Sequence, residues 1–334
     1  MPANLFIDPL FSIIIPVKEI NDYVKETIGK IQELDESCWE VLLLPNEDAE
    51  NLWALDRRIT IRPTGRVGPA DKRDFGSGLA NGEYLVFFDD DSYPRSDYLN
   101  VALKYFEAHS VSAIGGPGIT PKSDSFWQKV SGAVFLSALT GGAPERYLSL
   151  GKSRRVDDWP SVNFIVKKNI FMAVGGFDCP YWPGEDTRLC LKLFKGDFAI
   201  DYVPNLIVWH HRRAGLLAHL KQVGAYGLHR GFFAKKYPET SFRLKYFLPS
   251  GFFLFALISM PILFSGDHLL ALSIKLFFTI YLCGLAVGIV QLTRYEGLVV
   301  AFSATPYIVM THLVYGYQFI RGFFFTKILK SKLR

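Results

Sequence analysis

Short apolar runs alternate with amphipathic segments over roughly the first 235 residues of the chain. Four runs have the length of buried strands: FSIIIPV (11–17), WEVLLL (39–44), ITIRP (59–63) and EYLVFF (83–88). Between them, VKETIGKIQEL and ADKRDFGSGLANG have the pattern of amphipathic helices. Strands that alternate with helices in this way predict βαβ units and a mostly parallel sheet. We therefore predict an α/β domain over residues 1–235.

After residue 245 the pattern changes to long runs that contain no Asp, Glu, Lys or Arg. Because about 20 apolar residues are enough to cross a bilayer, we predict a membrane domain over residues 246–325. It contains two to three spans, near 246–266, 270–293 and 297–320. Buried core helices are the alternative, but they fit poorly with several such runs in so short a stretch.

The third apolar segment and the orientation of the spans are linked. Arg243, Lys245 and Arg294 flank the first two spans and predict that these ends face the cytosol. A full third span would then carry the basic end of the chain outside. Pro306, Gly316 and Gly322 offer a second interpretation, in which the segment is broken into a re-entrant or interfacial element. The sequence leaves both interpretations open.

The positive charge of the chain is concentrated near its C-terminus. The formal net charge is +5, and residues 321–334 contain five cations and no acid. The rest of the chain is therefore neutral, which argues against nucleic-acid binding. A basic tail at 326–334 instead favours contact with anionic membrane lipids. The N-terminus has no signal-peptide pattern, and the four cysteines lack metal or redox spacing. We expect a multi-pass protein of the cell membrane, with its α/β domain in the cytosol.

Three consecutive acids follow the fourth predicted strand, in the stretch FFDDDSYP (87–94). Ligands of parallel sheets bind beyond the carboxyl ends of the strands, where these acids lie. Such a cluster fits a solvated turn, a site for a hard cation, or a general acid/base pair. Upstream, Gly65 and Gly68 precede a helix that carries Lys72 and Arg73, an arrangement that suits phosphate. Together these features favour Mn²⁺ or Mg²⁺ bridging a nucleoside diphosphate.

The order of these motifs resembles glycosyltransferase family 2. The resemblance covers about residues 10–235 and rests on PVKE, GPADKRDFG, FFDDDSYP, VGGFD, GEDTRL and VWHHRR. The tail pattern HLVYGYQFIRG is similar to membrane-attached members such as the succinoglycan-type exopolysaccharide glucosyltransferases. The resemblance implies an α/β GT-A fold, a nucleotide-diphospho-sugar donor, and inversion at the anomeric carbon of the transferred sugar.

On the donor side, the resemblance assigns FFDDDSYP as the DxD motif of the family. Asp89 and Asp91 match its metal-binding ends, and Asp90 is the intervening residue on the nucleotide-sugar side. Further residues implied to bind the nucleotide sugar are Pro16, Val17 and Glu19 at the base, Glu47 or Asp48 at the uracil or ribose, and Lys72 at the phosphates. A solvated helix face is the alternative for Lys72.

On the acceptor side, the segment WPGEDTRLCLKL (182–193) matches the ED motif of the family. Acids in the first turn of a helix also complement its dipole, which is the simpler explanation. The resemblance makes Asp186 the catalytic base and Glu185 a residue that orients the acceptor. It further implies acceptor contacts by Asp158, Trp159, Asn163 and Trp182.

The stretch VWHHRR supplies the last candidates. His210, and secondarily His211, match a histidine that completes the metal shell, although a structural role for each ring is the alternative. Arg212 and Arg213 would close on the departing diphosphate. Residues 214–235 that follow predict an interfacial amphipathic helix.

Three functions remain open from the sequence. The first is an inverting transfer of a sugar to a hydroxyl of a lipid-linked glycan. The second is synthesis of a polyprenyl-phosphate sugar, whose acceptor is already an anion. The third is a non-catalytic membrane scaffold that retains the fold.

Overall fold

The computed structural model describes residues 8–140, 143–263 and 268–329. These residues form two compact units, and each is described by itself. The first contains residues 8–121 and 148–210, and the second contains residues 122–147 and 211–329, except for those outside the described ranges. The sequence predicts a boundary after residue 235, whereas the contacts group residues 122–147 and 211–235 with the apolar helices.

The first unit is built on strands and on helices that flank them. Its strands are β1 (Phe11–Pro16), β2 (Trp39–Leu44), β3 (Ile59–Ile61), β4 (Tyr84–Phe87), β5 (Ser92–Pro94), β6 (Ala113–Gly115), β7 (Gly118–Ile119), β8 (Arg154–Val156), β9 (Phe164–Lys167), β10 (Ile200–Tyr202) and β11 (Val208–His210). Its helices are α1 (Asp22–Gln32), α2 (Pro69–Leu79), α3 (Tyr98–Ala108), α5 (Lys168–Ala173) and α6 (Glu185–Lys195).

A large mixed sheet has the strand order β3-β2-β1-β4-β9-β6-β10-β8. The four strands β3, β2, β1 and β4 are parallel, while β9 runs antiparallel between β4 and β6. Every residue of β1 is buried, which explains its continuous apolar sequence, because a strand covered on both faces needs no polar alternation. The predicted mostly parallel sheet with flanking helices is confirmed.

A second, three-stranded sheet has the order β5-β11-β7. In it, His210 of β11 lies opposite Ser92 of β5 in an antiparallel register. This pairing matters for function, since it brings the end of the segment VWH next to the residue that follows the acids.

The second unit is helical. Its helices are α4 (Phe126–Leu136), α7 (Leu216–Lys236), α8 (Pro238–Ser241), α9 (Leu244–Leu263), α10 (His268–Glu296) and α11 (Leu298–Ile320), and a π-helical turn (Arg321–Phe325) follows α11. Three helical segments of this unit are long and apolar enough to cross a membrane, at Leu244–Leu263, His268–Glu296 and Leu298–Phe325. Helix α11 continues through Pro306. Residues 264–266 of the first predicted span and 330–334 of the predicted tail lie outside the described residues.

Helix α7 lies where an interfacial helix is predicted, and one face of it packs closely against α11. A Cβ added at Gly231 would lie 2.2 Å from the carbonyl oxygen of Phe319, and one at Gly227 would lie 2.6 Å from that of Tyr315. Glycine is therefore required at both positions for the two backbones to come this close.

Candidate active site

The three acids leave β4 in a turn that is closed by a single hydroxyl. The Oγ of Ser92 accepts a hydrogen bond from the amide of Asp89 at 3.1 Å and donates one to the carbonyl of the same residue at 3.0 Å. Ser92 is fully buried and begins β5. The local sequence DDDS thus folds back on itself, which fixes the positions of Asp89 and Asp91 beyond the end of the strand.

Two of these acids and one histidine form a cluster. One ligand atom from each of Asp89, Asp91 and His210 lies within 4.8 Å of the others. The Nε2 of His210 is 3.1 Å from Oδ1 of Asp91, and Asp91 is only 4% exposed. Two carboxylates and an imidazole suit a divalent ion such as Mn²⁺ or Mg²⁺. The donor set therefore fits the predicted metal.

A buried arginine connects this cluster with the helix α6. Arg73, which is 2% exposed, donates from Nη2 to Oδ1 of Asp89 at 2.5 Å and from Nη1 to Oε1 of Glu185 at 3.0 Å. The charged guanidinium is stabilised by an acid on either side, as buried charges require. It holds Asp89 and Glu185 in one network.

Glu185 and Asp186 open α6, as predicted. The helix starts after Gly184, whose φ of 119° suits glycine. Burial, the largest cause, and the nearby charge of Asp186 together raise the pKa of Glu185 to about 7, while Arg73 acts in the opposite direction. Asp186 is half-buried, and its Oδ1 accepts a hydrogen bond from the amide of Thr187 at 2.7 Å.

The residues predicted for the nucleotide lie around the carboxyl ends of β1 and β2. Pro16 pairs with Leu44, and the amide of Val17 donates to the carbonyl of Leu44 at 3.1 Å. The candidates with exposed side chains are Glu19, next to Lys18 at 3.6 Å, Glu47, paired with Arg66 at 3.1 Å, and Asp48. Asp90, the middle acid, is half-buried.

Lys72 is bonded to the ends of two strands. Its Nζ donates to the carbonyls of Val17 at 2.6 Å and Leu44 at 2.9 Å, and to Oδ1 of Asn46 at 2.7 Å. An ammonium group has three hydrogens, so these acceptors match its full capacity. Burial lowers the pKa of Lys72 to about 8, and the charge of Asp90 opposes that shift. The structure thus joins Lys72 to the strand ends, and a role at the phosphates stays a prediction.

The four acceptor candidates fall into two groups. Trp159 and Asn163 are buried, at 1% and 0% exposure. The indole of Trp159 donates to the carbonyl of Gly116, and the amide of Asn163 donates to two backbone carbonyls, so both side chains bond within the fold. Asp158 and Trp182 are partly exposed.

His211 and the arginines after it belong to the second unit. His211 is not a member of the three-residue cluster, and its Nδ1 is hydrogen-bonded to Oδ1 of Asp124 instead. The other carboxylate oxygen of Asp124 accepts from the amide of Arg212 at 3.1 Å. Arg212 is buried with its guanidinium near the ring of Tyr147, and Arg213 is partly exposed. A role of Arg212 and Arg213 at the diphosphate stays a prediction.

Sequence reasoning missed three residues with a defined place in these networks. The sequence pattern indicates Arg73 only as a cation of α2, although two adjacent cations before an acidic strand end also fit an ion pair. Asn46 lies two residues after the end of β2, and the acids that follow it are the more obvious candidates in the sequence. Nothing in the sequence around Asp124 indicated its bonds to His211 and Arg212.

The chain is similar to known glycosyltransferases in sequence and fold. The model of the family described as glycosyl transferase family 2 matches residues 12–175. A Methanococcus voltae protein named dolichyl N-acetyl-alpha-D-glucosaminyl phosphate 3-beta-D-2,3-diacetamido-2,3-dideoxy-beta-D-glucuronosyltransferase is 22% identical over 269 residues, which are 75% of this chain and 81% of that protein. The pre-mycofactocin glycosyltransferase of Mycobacterium tuberculosis is 27% identical over 174 residues, 52% of this chain and 36% of that protein.

A solved structure is similar over almost the whole chain. It is that of the mannosyltransferase PcManGT from Pyrobaculum calidifontis in complex with GDP-Man and Mn²⁺. The TM-score is 0.58 at 16% sequence identity, covering 95% of this chain and 88% of that one. This likeness concerns the fold, and it confirms the GT-A fold predicted from the sequence.

Proposed function

Because the chain belongs to glycosyl transferase family 2, we propose that it is an inverting enzyme that moves a sugar from a nucleotide-diphosphate donor to a hydroxyl of a lipid-linked glycan. The observation that carries this proposal is the cluster of Asp89, Asp91 and His210, linked through Arg73 to Glu185. This network supports the proposal, because a single displacement would use both a cation at the leaving diphosphate and acids near the acceptor.

On the donor side, Asp89, Asp91 and His210 would hold Mn²⁺ or Mg²⁺. The bound ion would neutralise charge on the diphosphate as it leaves. The strand ends at Pro16 and Val17 bind the base, together with Glu19. Glu47 or Asp48 contacts the uracil or ribose. Asp90, between the two metal-binding acids, contacts the nucleotide sugar.

On the acceptor side, Asp186 is the base. The acceptor hydroxyl attacks the anomeric carbon of the donor sugar, and its proton passes to the carboxylate of Asp186. The bond between that carbon and the diphosphate oxygen breaks, and the electron pair leaves with the nucleoside diphosphate. Attack from the face opposite the leaving group inverts the anomeric centre. Glu185, held by Arg73, orients the acceptor, and Asp158 and Trp182 are further contacts.

The acceptor is a membrane-associated, lipid-linked glycan. Two observations support this assignment: three helices have the length and composition of membrane spans, and the name of the Methanococcus voltae relative describes a transferase acting on a dolichyl-phosphate-linked sugar. Arg243 and Lys245 precede the first span, and this positive flank supports a donor site on the cytosolic side of the cell membrane.

The test incubates membranes that contain the full chain with a panel of labelled nucleotide sugars and extracted lipid-linked glycans. We expect a labelled lipid product that requires Mn²⁺ or Mg²⁺ and disappears with Asp186→Asn. Activity that survives Asp186→Asn would indicate a phosphate acceptor, as in a polyprenyl-phosphate sugar synthase, because an anion needs no base. If the wild type binds no nucleoside diphosphate with metal present, the transferase assignment is wrong and a scaffold role remains.

A further inference from the structure

Lys72 ties together two strand ends that belong to the predicted nucleotide site. It is 3% exposed and extends from α2 to the carbonyls of Val17, just after β1, and of Leu44, the last residue of β2. The two strand ends are also bonded directly, since the amide of Asn46 donates to the carbonyl of Lys18 at 3.1 Å. A buried ammonium ion with three oxygen acceptors makes this junction rigid, because losing one partner would leave buried polar groups unsatisfied.

The third acceptor of Lys72 determines how the amide of Asn46 is turned. A lysine ammonium only donates hydrogen bonds, so the Asn46 atom at 2.7 Å must be the carbonyl oxygen Oδ1. The end of this side chain that Lys72 does not hold is therefore the NH₂ group, which is a hydrogen-bond donor. Asn46 is half-buried, and it lies between β2 and the exposed Glu47.

We propose that Lys72 is a positioning residue that presents the Asn46 amide to the nucleotide base as a donor. A donor at that position favours a base with an oxygen at C4 of a pyrimidine or C6 of a purine, as in uracil, thymine or guanine, over one with an amino group there, as in cytosine or adenine. This inference rests on the proposed function, because it assumes that the strand ends bind a nucleotide. It assigns Lys72 to base selection instead of phosphate binding.

The chain offers a matched control for this lysine. Lys192 of α6 also donates from Nζ to three acceptors, the carbonyls of Gly175, Gly176 and Phe177, at 3.0 to 3.2 Å. Its substitution by methionine removes the same group and the same kind of contact at a different place in the first unit.

The experiment uses the full chain in detergent and its variants Lys72→Met, Asn46→Asp and Lys192→Met. Calorimetry with Mn²⁺ present measures the affinities for UDP and CDP and for GDP and ADP, and the base ratio is the ratio of affinities within each pair. Electron paramagnetic resonance measures the binding of Mn²⁺ alone. We expect the wild type to prefer the oxo base in at least one pair by about tenfold or more. Lys72→Met should bring this ratio near unity while binding of Mn²⁺ alone stays within about twofold.

The other two variants decide the remaining questions. Asn46→Asp should shift the preference towards the amino base, since a carboxylate accepts from an amino group, and it decides the matter if Lys72→Met does not fold. Lys192→Met should leave the base ratio within about twofold of the wild type. A wild type without base preference, or one whose preference survives in Lys72→Met and Asn46→Asp, overturns the inference and leaves the proposed function intact. Failure of the wild type to bind any of the four diphosphates contradicts both.

Discussion

Arg73 and Glu185 are 112 positions apart in the sequence, and the guanidinium of the first donates to the carboxylate of the second at 3.0 Å. Their side chains are 2% and 7% exposed. The same guanidinium binds Asp89 at 2.5 Å. Two acids with different predicted roles are thus held by one cation, so the ion pair is a part of the site as well as of the fold.

Removal of this cation should affect both stability and activity. Arg73→Met leaves the buried carboxylate of Glu185 without its partner, and breaking a buried pair in this way costs about 3 to 5 kcal/mol of unfolding free energy. Arg58→Met is the control, because the Arg58–Asp56 pair at 2.8 Å is more exposed and should contribute at most about 1 kcal/mol. Denaturant unfolding and the transfer rate measure the two effects. Equal losses for both variants would contradict the role of Arg73.

The two adjacent histidines should behave differently towards metal. His210 is in the cluster with Asp89 and Asp91, whereas His211 is bonded to Asp124. Loss of residues that only support a metal ligand typically costs about 10- to 100-fold in metal affinity, so loss of a ligand should cost at least that much. We therefore expect His210→Ala to weaken Mn²⁺ binding by about tenfold or more.

His211→Ala is the matched control for that measurement. It removes an imidazole one residue further along the chain and should leave the affinity for Mn²⁺ clearly higher than His210→Ala does. Electron paramagnetic resonance of Mn²⁺ gives both values without any substrate. If the two variants lose affinity equally, the ligand set given by the structure is incomplete.

The raised pKa of Glu185 predicts a pH dependence of stability. Because burial raises this pKa from 4.5 to about 7, the folded state binds the proton more tightly than the unfolded state does. The stabilisation is therefore complete below pH 4.5 and is lost as the pH rises towards 7. Glu185→Gln cannot titrate, so the melting temperature of the wild type should fall relative to this variant between pH 5 and pH 8. A difference in melting temperature that stays constant across that range would contradict the raised pKa of Glu185.

The sequence was informative where function depends on neighbours in the chain. The acids 89–91 follow a strand whose apolar pattern is unmistakable, so their place at its carboxyl end followed from the general behaviour of parallel sheets. The mostly parallel sheet and the apolar helices were predictable for the same reason, since each depends on local periodicity.

The pattern of apolar and polar residues did not predict contacts between distant segments of the chain. Lys72 lies on an amphipathic helix, but its bonds to Val17 and Leu44 depend on how α2 packs against two strands. Trp159 and Asn163 belong to a polar segment near the acceptor motif, yet the fold buries both. Whether each of these side chains is buried in the fold or open to a ligand depends on tertiary packing, which the local pattern of a single sequence does not indicate.

The close approach of α7 and α11 leads to the last prediction. A Cβ at Gly231 would meet the carbonyl oxygen of Phe319 at 2.2 Å, a backbone atom that cannot move without shifting α11. Gly231→Ala should therefore lower the melting temperature in detergent, because α7 and α11 must move apart to make room for the added Cβ. Gly251 of α9 is the control, since a Cβ added there meets nothing within 4 Å. Its replacement by alanine should be neutral or stabilising, as alanine favours a helix over glycine by about 1 kcal/mol. If Gly231→Ala also proves neutral, the two helices are farther apart than the structure shows, and the packing that places α7 in the second unit would have to be revised.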